Sequence, residues 1–275
     1  MAINHFIPTI WSAQMLWDFR QQSLAAALAN RDYEGDAQKG NTVKITSGVP
    51  VAIKDYKAAG RTTTPEAISD TSQDLLINQE KAFDFYVDDI DRAQAAGSLE
   101  SYSSDAAEGL AEDADTFLWA TAAAGALTAN KLTGAAPTTG DAAFDVVNSL
   151  GRTLNRQKVP KGRRVLAINA EFEALLTSSS SKLTSVDTSG TPAGLRDATV
   201  GRLLNFLVVS SENLPVTAAP YALAFYQPSL AFVSQITETE AMRAQDKFAD
   251  RLRGLHVYGG KVIRPKGVAT WSVTP

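Results

Sequence analysis

DLLINQEKAFDFYVDD, residues 74–89, runs straight into IDRAQAAGSLESYSSDAAEGLAEDADTFLWATAAA, residues 90–124. In the first part Leu75, Ile77, Phe83, Phe85 and Val87 hold odd positions. Asp74, Asn78, Glu80, Asp84 and Asp88 hold even ones, with Leu76 and Tyr86 as exceptions. This alternation predicts one half-buried strand over 74–88. At Asp88-Asp89 the period changes. Leu99, Tyr102, Ala106, Leu110, Ala114 and Phe117 recur at spacings of three or four and predict a long helix. Its leading acids suit the N-terminal dipole. A long strand feeding a long helix, with no tight turn folding the chain back, is unusual for an enzyme core. It suits a subunit much of whose contact surface belongs to its neighbours.

Upstream, 42–46 and 49–53 alternate and predict a hairpin turning at Ser47-Gly48, with Pro50 demoting the second strand to an edge. The polar stretch 58–73 predicts an exposed loop tip. A ribbon of two or three strands is marginal alone in water. The apolar side chains Val43, Ile45, Ile53, Phe83 and Phe85 therefore need a cover. The expectation is that 31–87 projects over a neighbour, with these residues touching 88–140 or a second chain. Lys54 and Tyr56 fall near its far end. Before the ribbon, Pro8-Thr9 can start a helix carrying Trp11, Met15 and Phe19 on one stripe and Trp17, Leu24 and Leu28 on the next. So much aromatic area on a terminal helix predicts a clamp onto another subunit. Both chain ends are expected to be held down, by a partner chain or by another part of the structure.

The helix has a second peculiarity. No Lys or Arg occurs from Ala93 to Asn130, whereas Glu100, Asp105, Glu108, Glu112, Asp113 and Asp115 do. A lone helix usually offsets such charge with cations at i,i+4. Two readings are open: a solvated acidic face, lining a shell interior, or cations from another subunit, with Arg243, Lys247, Arg251 and Arg253 as donors. From Asp141 the texture becomes α/β. Helices are predicted over 143–157 and 171–177, and a polar loop over 178–194. Strands are predicted over 164–169, 203–209, 221–226, 251–264 and 268–273, the last two turning at Pro265-Lys266-Gly267. The boundary falls in the Gly-, Pro- and Thr-rich 132–140.

A formal charge of −4 argues against tight nucleic-acid binding, and no apolar run reaches membrane-spanning length. No secretory signal is visible. The absence of cysteine excludes disulfides and thiolate chemistry. No catalytic constellation emerges: His5 is terminal, and His256 sits in an alternating strand where a structural role is expected. GLHVYGGK at 254–261 fails as a phosphate loop, since Val262 stands where Ser or Thr should bind magnesium. Asp88-Asp89-x-Asp91 is read as helix capping, and Trp119 and Trp271 as core or interface anchors. No cofactor or metal site is assigned, and no catalytic residue.

Several segments together resemble a known family. They are Asn30-Arg31-Asp32-Tyr33 followed by Gly40-Asn41-Thr42-Val43-Lys44-Ile45; 76–91; Val200-Gly201-Arg202 to Ser210-Ser211-Glu212-Asn213-Leu214-Pro215; and 248–265 with Gly254-Leu255-His256-Val257-Tyr258-Gly259. In order and spacing they are similar to major capsid proteins of tailed bacteriophages with the Hong Kong 97-type fold, most like those of phages infecting actinobacteria. Where the family often has a second glycine, Asn205 stands, a residue that tolerates left-handed backbone. The resemblance implies an α+β fold: an N-terminal arm (1–30), an extended β-hairpin E-loop (31–88), a peripheral domain with the spine helix (89–140 and 236–275) and an α/β axial domain (141–235). It implies a structural virion protein, not an enzyme. Hexamers and pentamers would form an icosahedral shell around double-stranded DNA, contacted non-specifically. Portal and scaffolding proteins, and possible decoration proteins, are the implied partners; no membrane is involved, and assembly takes place in the host cytoplasm. Neither a fused protease nor removal of a pro-region is expected. No lysine among Lys39, Lys44, Lys54 and Lys57 is marked as activated, so no covalent cross-link is expected. The contact residues expected are Trp11, Trp17, Phe19, Val43, Ile45, Lys54, Tyr56, Phe83, Phe85, Glu108, Glu112, Arg243 and Arg251. The alternatives are an encapsulin-like compartment and, further off, an oligomeric α/β enzyme or binding domain.

Overall fold

The computed structural model describes residues 23–36, 40–49, 51–63, 67, 70–88, 99–178, 201–244 and 247–274. Trp11, Trp17, Phe19, His5, Lys39 and the acids Asp89 and Asp91 lie outside the described residues, as does most of the 178–194 loop. In chain order the elements are α1 (Ala25–Leu28), β1 (Thr42–Gly48), β2 (Asp70–Leu76), β3 (Gln79–Asp88), α2 (Leu99–Gly125), β4 (Lys131–Gly134), α3 (Gly140–Arg156) and β5 (Arg164–Ile168). Then come α4 (Ala170–Leu176), β6 (Arg202–Leu203), β7 (Phe206–Ser210), β8 (Tyr221–Tyr226), β9 (Leu230–Arg243), β10 (Ala249–Val262) and β11 (Val268–Val273).

A six-stranded mixed sheet, β4-β11-β8-β5-β7-β6, forms the centre. Every residue of β5 is buried, because both faces of the sheet are covered. On one face Val165, Leu223, Phe225 and Val268 pack under the spine helix α2 through Ala114, Leu118, Trp119 and Ala122. On the other, Leu166, Ile168, Ala224 and Trp271 meet Val147, Leu150 and Leu154 of α3 and Phe172 of α4. The helices start where their caps allow. The Thr139 side chain accepts from the Ala142 N–H at 3.2 Å. Asn169 accepts from Phe172 at 3.1 Å and from Tyr221 at 3.0 Å, while its amide donates to Val216 and Ala219 carbonyls. The chain's C-terminal strand β11 lies inside this sheet, so its own chain holds it.

Two further sheets stand off the centre. β10 is the middle strand of antiparallel β3-β10-β9, and β1-β2 form a separate ribbon. Here several sequence expectations need correction. The strand predicted over 74–88 is two strands in different sheets. β2 pairs with β1, β3 pairs with β10, and the exchange occurs at Ile77-Asn78, where the Ile77 N–H donates to the Asn41 carbonyl. The alternation of buried Leu75 and Ile77 with half-buried Phe83 and Phe85 survives the exchange, so the period carries no mark of the break. The predicted turn at Ser47-Gly48 is absent. β1 runs through both residues and pairs with β2, and the described residues 49 and 51–63 form loop in place of the strand predicted over 49–53. Neither residue takes the left-handed backbone a two-residue hairpin turn requires. The strand predicted over 203–209 is a β6–β7 hairpin, because Leu204 and Asn205 both have positive φ, 47° and 69°. The turn at Asn205 forms, as its tolerance of that conformation predicts. β9, 14 residues long, was not foreseen.

Candidate assembly surface

The ribbon has a fixed base and a free end. Val43, Ile45, Leu75 and Ile77 are buried against Ala231, Val233, Val257 and Ile263 of β9, β10 and the turn after them. Gln73 Nε2 donates to the Ile263 carbonyl at 3.3 Å, and Lys261 Nζ to the Asp74 carbonyl at 2.8 Å. This corrects the expectation that Val43 and Ile45 touch 88–140 or a second chain: the chain's own C-terminal half covers them. Their alternating pattern demands a cover but cannot say whose. Beyond the base the loop lies in solvent. Ile53 is 100% exposed, Val51 64% and Tyr56 56%, with Lys54 exposed between them.

On β3, Phe83 and Phe85 are half-buried, with ring centroids 6.0 Å apart. The Phe83 ring lies over Gly254 of β10, where a Cβ would come within 2.3 Å of it. Charges ladder across the same sheet. Arg251 forks onto Asp84, with Nε to Oδ1 at 2.8 Å, and Arg253 Nε meets Glu240 at 2.8 Å. Arg243 pairs with Asp250 at 3.0 Å. The Arg251 hydrogen bond holds the Asp84 carboxyl below its ordinary range. These arginines therefore serve the β3-β10-β9 sheet. The expected pairing of these arginines with the spine acids is one between subunits, which a single chain leaves as a proposal. The outer end of this sheet carries Phe248, 82% exposed.

The spine's acids are met locally in another way. Lys81 of β3 approaches Asp113 at 3.5 Å, and the buried Tyr258 hydroxyl donates to the same carboxylate at 2.6 Å. Burial, followed by that hydrogen bond, raises the Tyr258 pKa strongly. Asp115 is fully buried. Its Oδ1 accepts from the N–H groups of Leu24 (2.8 Å) and Ala25 (2.5 Å) and from Ser23 Oγ (3.3 Å). Its Oδ2 accepts from Trp119 Nε1 (2.8 Å) and Asn213 Nδ2 (3.1 Å). Asp115 so caps the short helix α1, which has no side-chain cap of its own, and fixes where the N-terminal segment joins the spine. Sequence reading placed Asp115 in an acidic stripe and missed this role; the only local signal was an acid one turn before a tryptophan. Glu108 faces solvent and Glu112 is half-buried.

His256 bonds through Nε2 to Ser234 Oγ at 3.0 Å and lies 4.7 Å from the Tyr258 ring. Burial lowers its pKa, with Asp113 opposing. A folded pKa below the unfolded value of about 6.5 means that the unfolded chain binds the proton first. Stability is then full above that value and falls as pH drops below it. The urea midpoint is expected to be lower at pH 5.5 than at pH 7.5, roughly one unit either side of the free histidine value. His256→Gln should flatten the difference; an unchanged pH dependence in that variant would contradict the assignment.

No group of His, Asp or Glu among the described residues could hold a metal ion, and no described helix is long and apolar enough to cross a membrane. GLHVYGGK lies within β10, and its glycines make room for neighbouring elements.

Comparison with known proteins places this architecture. A family model described as phage capsid protein matches residues 76–271. A search of curated proteins found no match. Among solved structures, a chain from Mycobacterium phage Che8 is 50% identical, with 98% of each chain covered and a TM-score of 0.90. A chain from the capsid of cyanophage P-SCSP1u is 17% identical, with 98% of this chain and 94% of that one covered and a TM-score of 0.81. A virus-like particle from Pyrococcus furiosus aligns over 85% of this chain and 87% of that one, at 12% identity and a TM-score of 0.54. With the family model spanning most of its length and a half-identical relative over nearly all of it, the chain belongs to the phage capsid protein family: a structural, shell-forming virion protein of the Hong Kong 97-type fold, and not an enzyme.

Proposed function

We propose that this chain is the major subunit of an icosahedral tailed-phage head, built from hexamers and pentamers around double-stranded DNA that it contacts non-specifically. The observation that carries this reading is the loop 49–63, which exposes Val51, Ile53 and Tyr56 on a base locked to β9 and β10. A rigid stem with an apolar free end is costly in a monomer and suits capture by another copy. In the same reading Lys54, Tyr56, Phe83, Phe85, Glu108 and Glu112 touch neighbours, as do Trp11, Trp17 and Phe19. Val43 and Ile45 support that contact from inside the base, and Arg243 and Arg251 through the β3-β10-β9 sheet. The arm, E-loop, peripheral and axial divisions follow the boundaries above, although β9 continues across 235/236. Portal, scaffolding and decoration proteins are the partners, and assembly takes place in the host cytoplasm.

Val51→Asp/Ile53→Asp tests it. Both side chains face solvent in the subunit, so its unfolding free energy should move by no more than about 0.5 kcal/mol. Shell yield in electron micrographs should fall at least about tenfold, since each buried charge lacks a partner at every copy. Normal shells from this variant would refute the role of the loop. DNA inside wild-type shells supports the phage head, whereas enzyme cargo would favour the compartment reading.

A further inference from the structure

Two basic segments distant in sequence meet at one cleft. Residues 146–170 contain Arg152, Arg156, Lys158, Lys161, Arg163 and Arg164 and no carboxylate; residues 251–275 contain Lys261, Arg264 and Lys266, among others, and again none. The fold brings 157–160 and 264–267 together around a cleft of about 340 Å³, with Tyr226 and Ser229 in its wall. Among the described residues no carboxylate pairs with Lys158, Arg264 or Lys266, unlike the arginines of the β3-β10-β9 sheet.

The C-terminus of α3 accounts for part of this charge. Arg164 is buried and donates to the Val159 carbonyl at 2.6 Å, the Pro160 carbonyl at 2.8 Å and Asn155 Oδ1 at 2.9 Å. It thereby pins the loop after α3. Within that loop Lys158 and Arg163 both hold φ of 58°, a conformation uncommon for residues with a side chain. The helix end does not account for Arg264 and Lys266, which arrive from the turn between β10 and β11. The buried Ser229 hydroxyl, in the same wall, has no hydrogen-bond partner.

We propose that this cleft binds a phosphate-class oxyanion through Lys158, Arg264 and Lys266. Cations converging from two segments suit a tetrahedral group with acceptors on several sides better than a planar carboxylate. The phosphate comes from a duplex backbone or from free polyphosphate. The first source rests on the DNA-enclosing reading above; the second does not.

The test uses the unassembled full-length chain, with inorganic pyrophosphate followed by calorimetry. A duplex of about 30 base pairs is followed by fluorescence anisotropy between about 50 and 200 mM salt. The triple variant Lys158→Gln/Arg264→Gln/Lys266→Gln should weaken pyrophosphate binding at least about tenfold. If duplex is the source, the slope of log affinity against log salt should shrink by roughly two to three, one increment per lost phosphate contact. Lys44→Gln, on the exposed ribbon, and the conservative pair Lys158→Arg/Lys266→Arg should leave both unchanged. Loss of pyrophosphate binding with duplex binding intact assigns the site to free phosphate. Equal binding by wild type and triple variant, or no pyrophosphate binding by wild type, overturns the proposal. So does duplex binding lost while pyrophosphate is retained. Assembly lost while both ligands still bind overturns it too, and assigns the cations to another copy's acidic surface. Wild-type shells without DNA would defeat the DNA reading alone and leave the pyrophosphate arm standing.

Discussion

Asp115→Asn is expected to destabilise the subunit by about 3 kcal/mol, and Asp115→Ala by about 4–5 kcal/mol. One carboxylate, buried in the spine helix, accepts five hydrogen bonds from three separate parts of the chain. Asparagine offers one oxygen where there were two. Its best placement keeps the oxygen toward Ser23, Leu24 and Ala25 and turns the amide toward Trp119 and Asn213. Asn213 can flip to accept from that amide. The Trp119 indole N–H cannot, and is left buried without a partner, at about 1–3 kcal/mol, on top of the lost charge-assisted bonds. Alanine removes every acceptor. Against a total stability of about 5–15 kcal/mol for a typical domain, either loss is large. Urea unfolding followed by tryptophan fluorescence measures it. Because the Leu24 and Ala25 amides lose their anchor, limited proteolysis should also cut faster within 23–30. A change below about 1 kcal/mol for the alanine variant would show that solvent can replace the carboxylate, and the anchoring role would fall.

Gly259→Ala is expected to damage assembly more than any other single methyl group in β10. A Cβ at Gly259 would stand 2.2 Å from the Leu76 carbonyl oxygen and 2.8 Å from Ile77 Cα. Both are backbone atoms at the point where the chain leaves β2 for β3. No rotamer change relieves that clash, so either β10 or the ribbon base must move. The cost is about 3 kcal/mol, the upper part of the usual range for overpacking. The displacement is passed to the loop 49–63 by a stiff two-stranded lever, so shells should fail even where the subunit folds. Gly254→Ala is the control. Its Cβ would meet the Phe83 ring at 2.3 Å, but that ring is half-buried on an open face and can rotate away, so about 1 kcal/mol is expected. Denaturant midpoints and shell yield measured for both variants decide the matter. Equal effects would mean that the ribbon base is not a rigid mount.

Much of this was legible in order along the chain. The spine from Ala114 to Phe117, the α3 stripe Val147, Leu150 and Leu154, the buried β5 and the role of Asn205 all follow from period and residue type, which act locally. The ribbon's need for a cover was equally plain from Val43 and Ile45. What was missed has a common cause. β9 mixes an apolar start, Leu230 to Val233, with a Thr/Glu alternation out to Glu240, because its two halves face different surroundings: the core, then the open β3-β10-β9 sheet. No single period runs through it.

By itself, the sequence determined the spine helix, the α3 and α4 helices, the buried central strands and, through its family likeness, the fold. Only the tertiary structure decided which element covers which. Asp115 and the Leu24 amide are 91 positions apart. The cations at 158 and 264–266 are likewise separated by most of the axial block. Periodicity reports that a face must be buried and propensity reports the local backbone, but both are short-range quantities. The partner of a buried face, a buried charge or a glycine's missing side chain is set by how distant segments pack, and that is fixed only when the whole chain closes on itself.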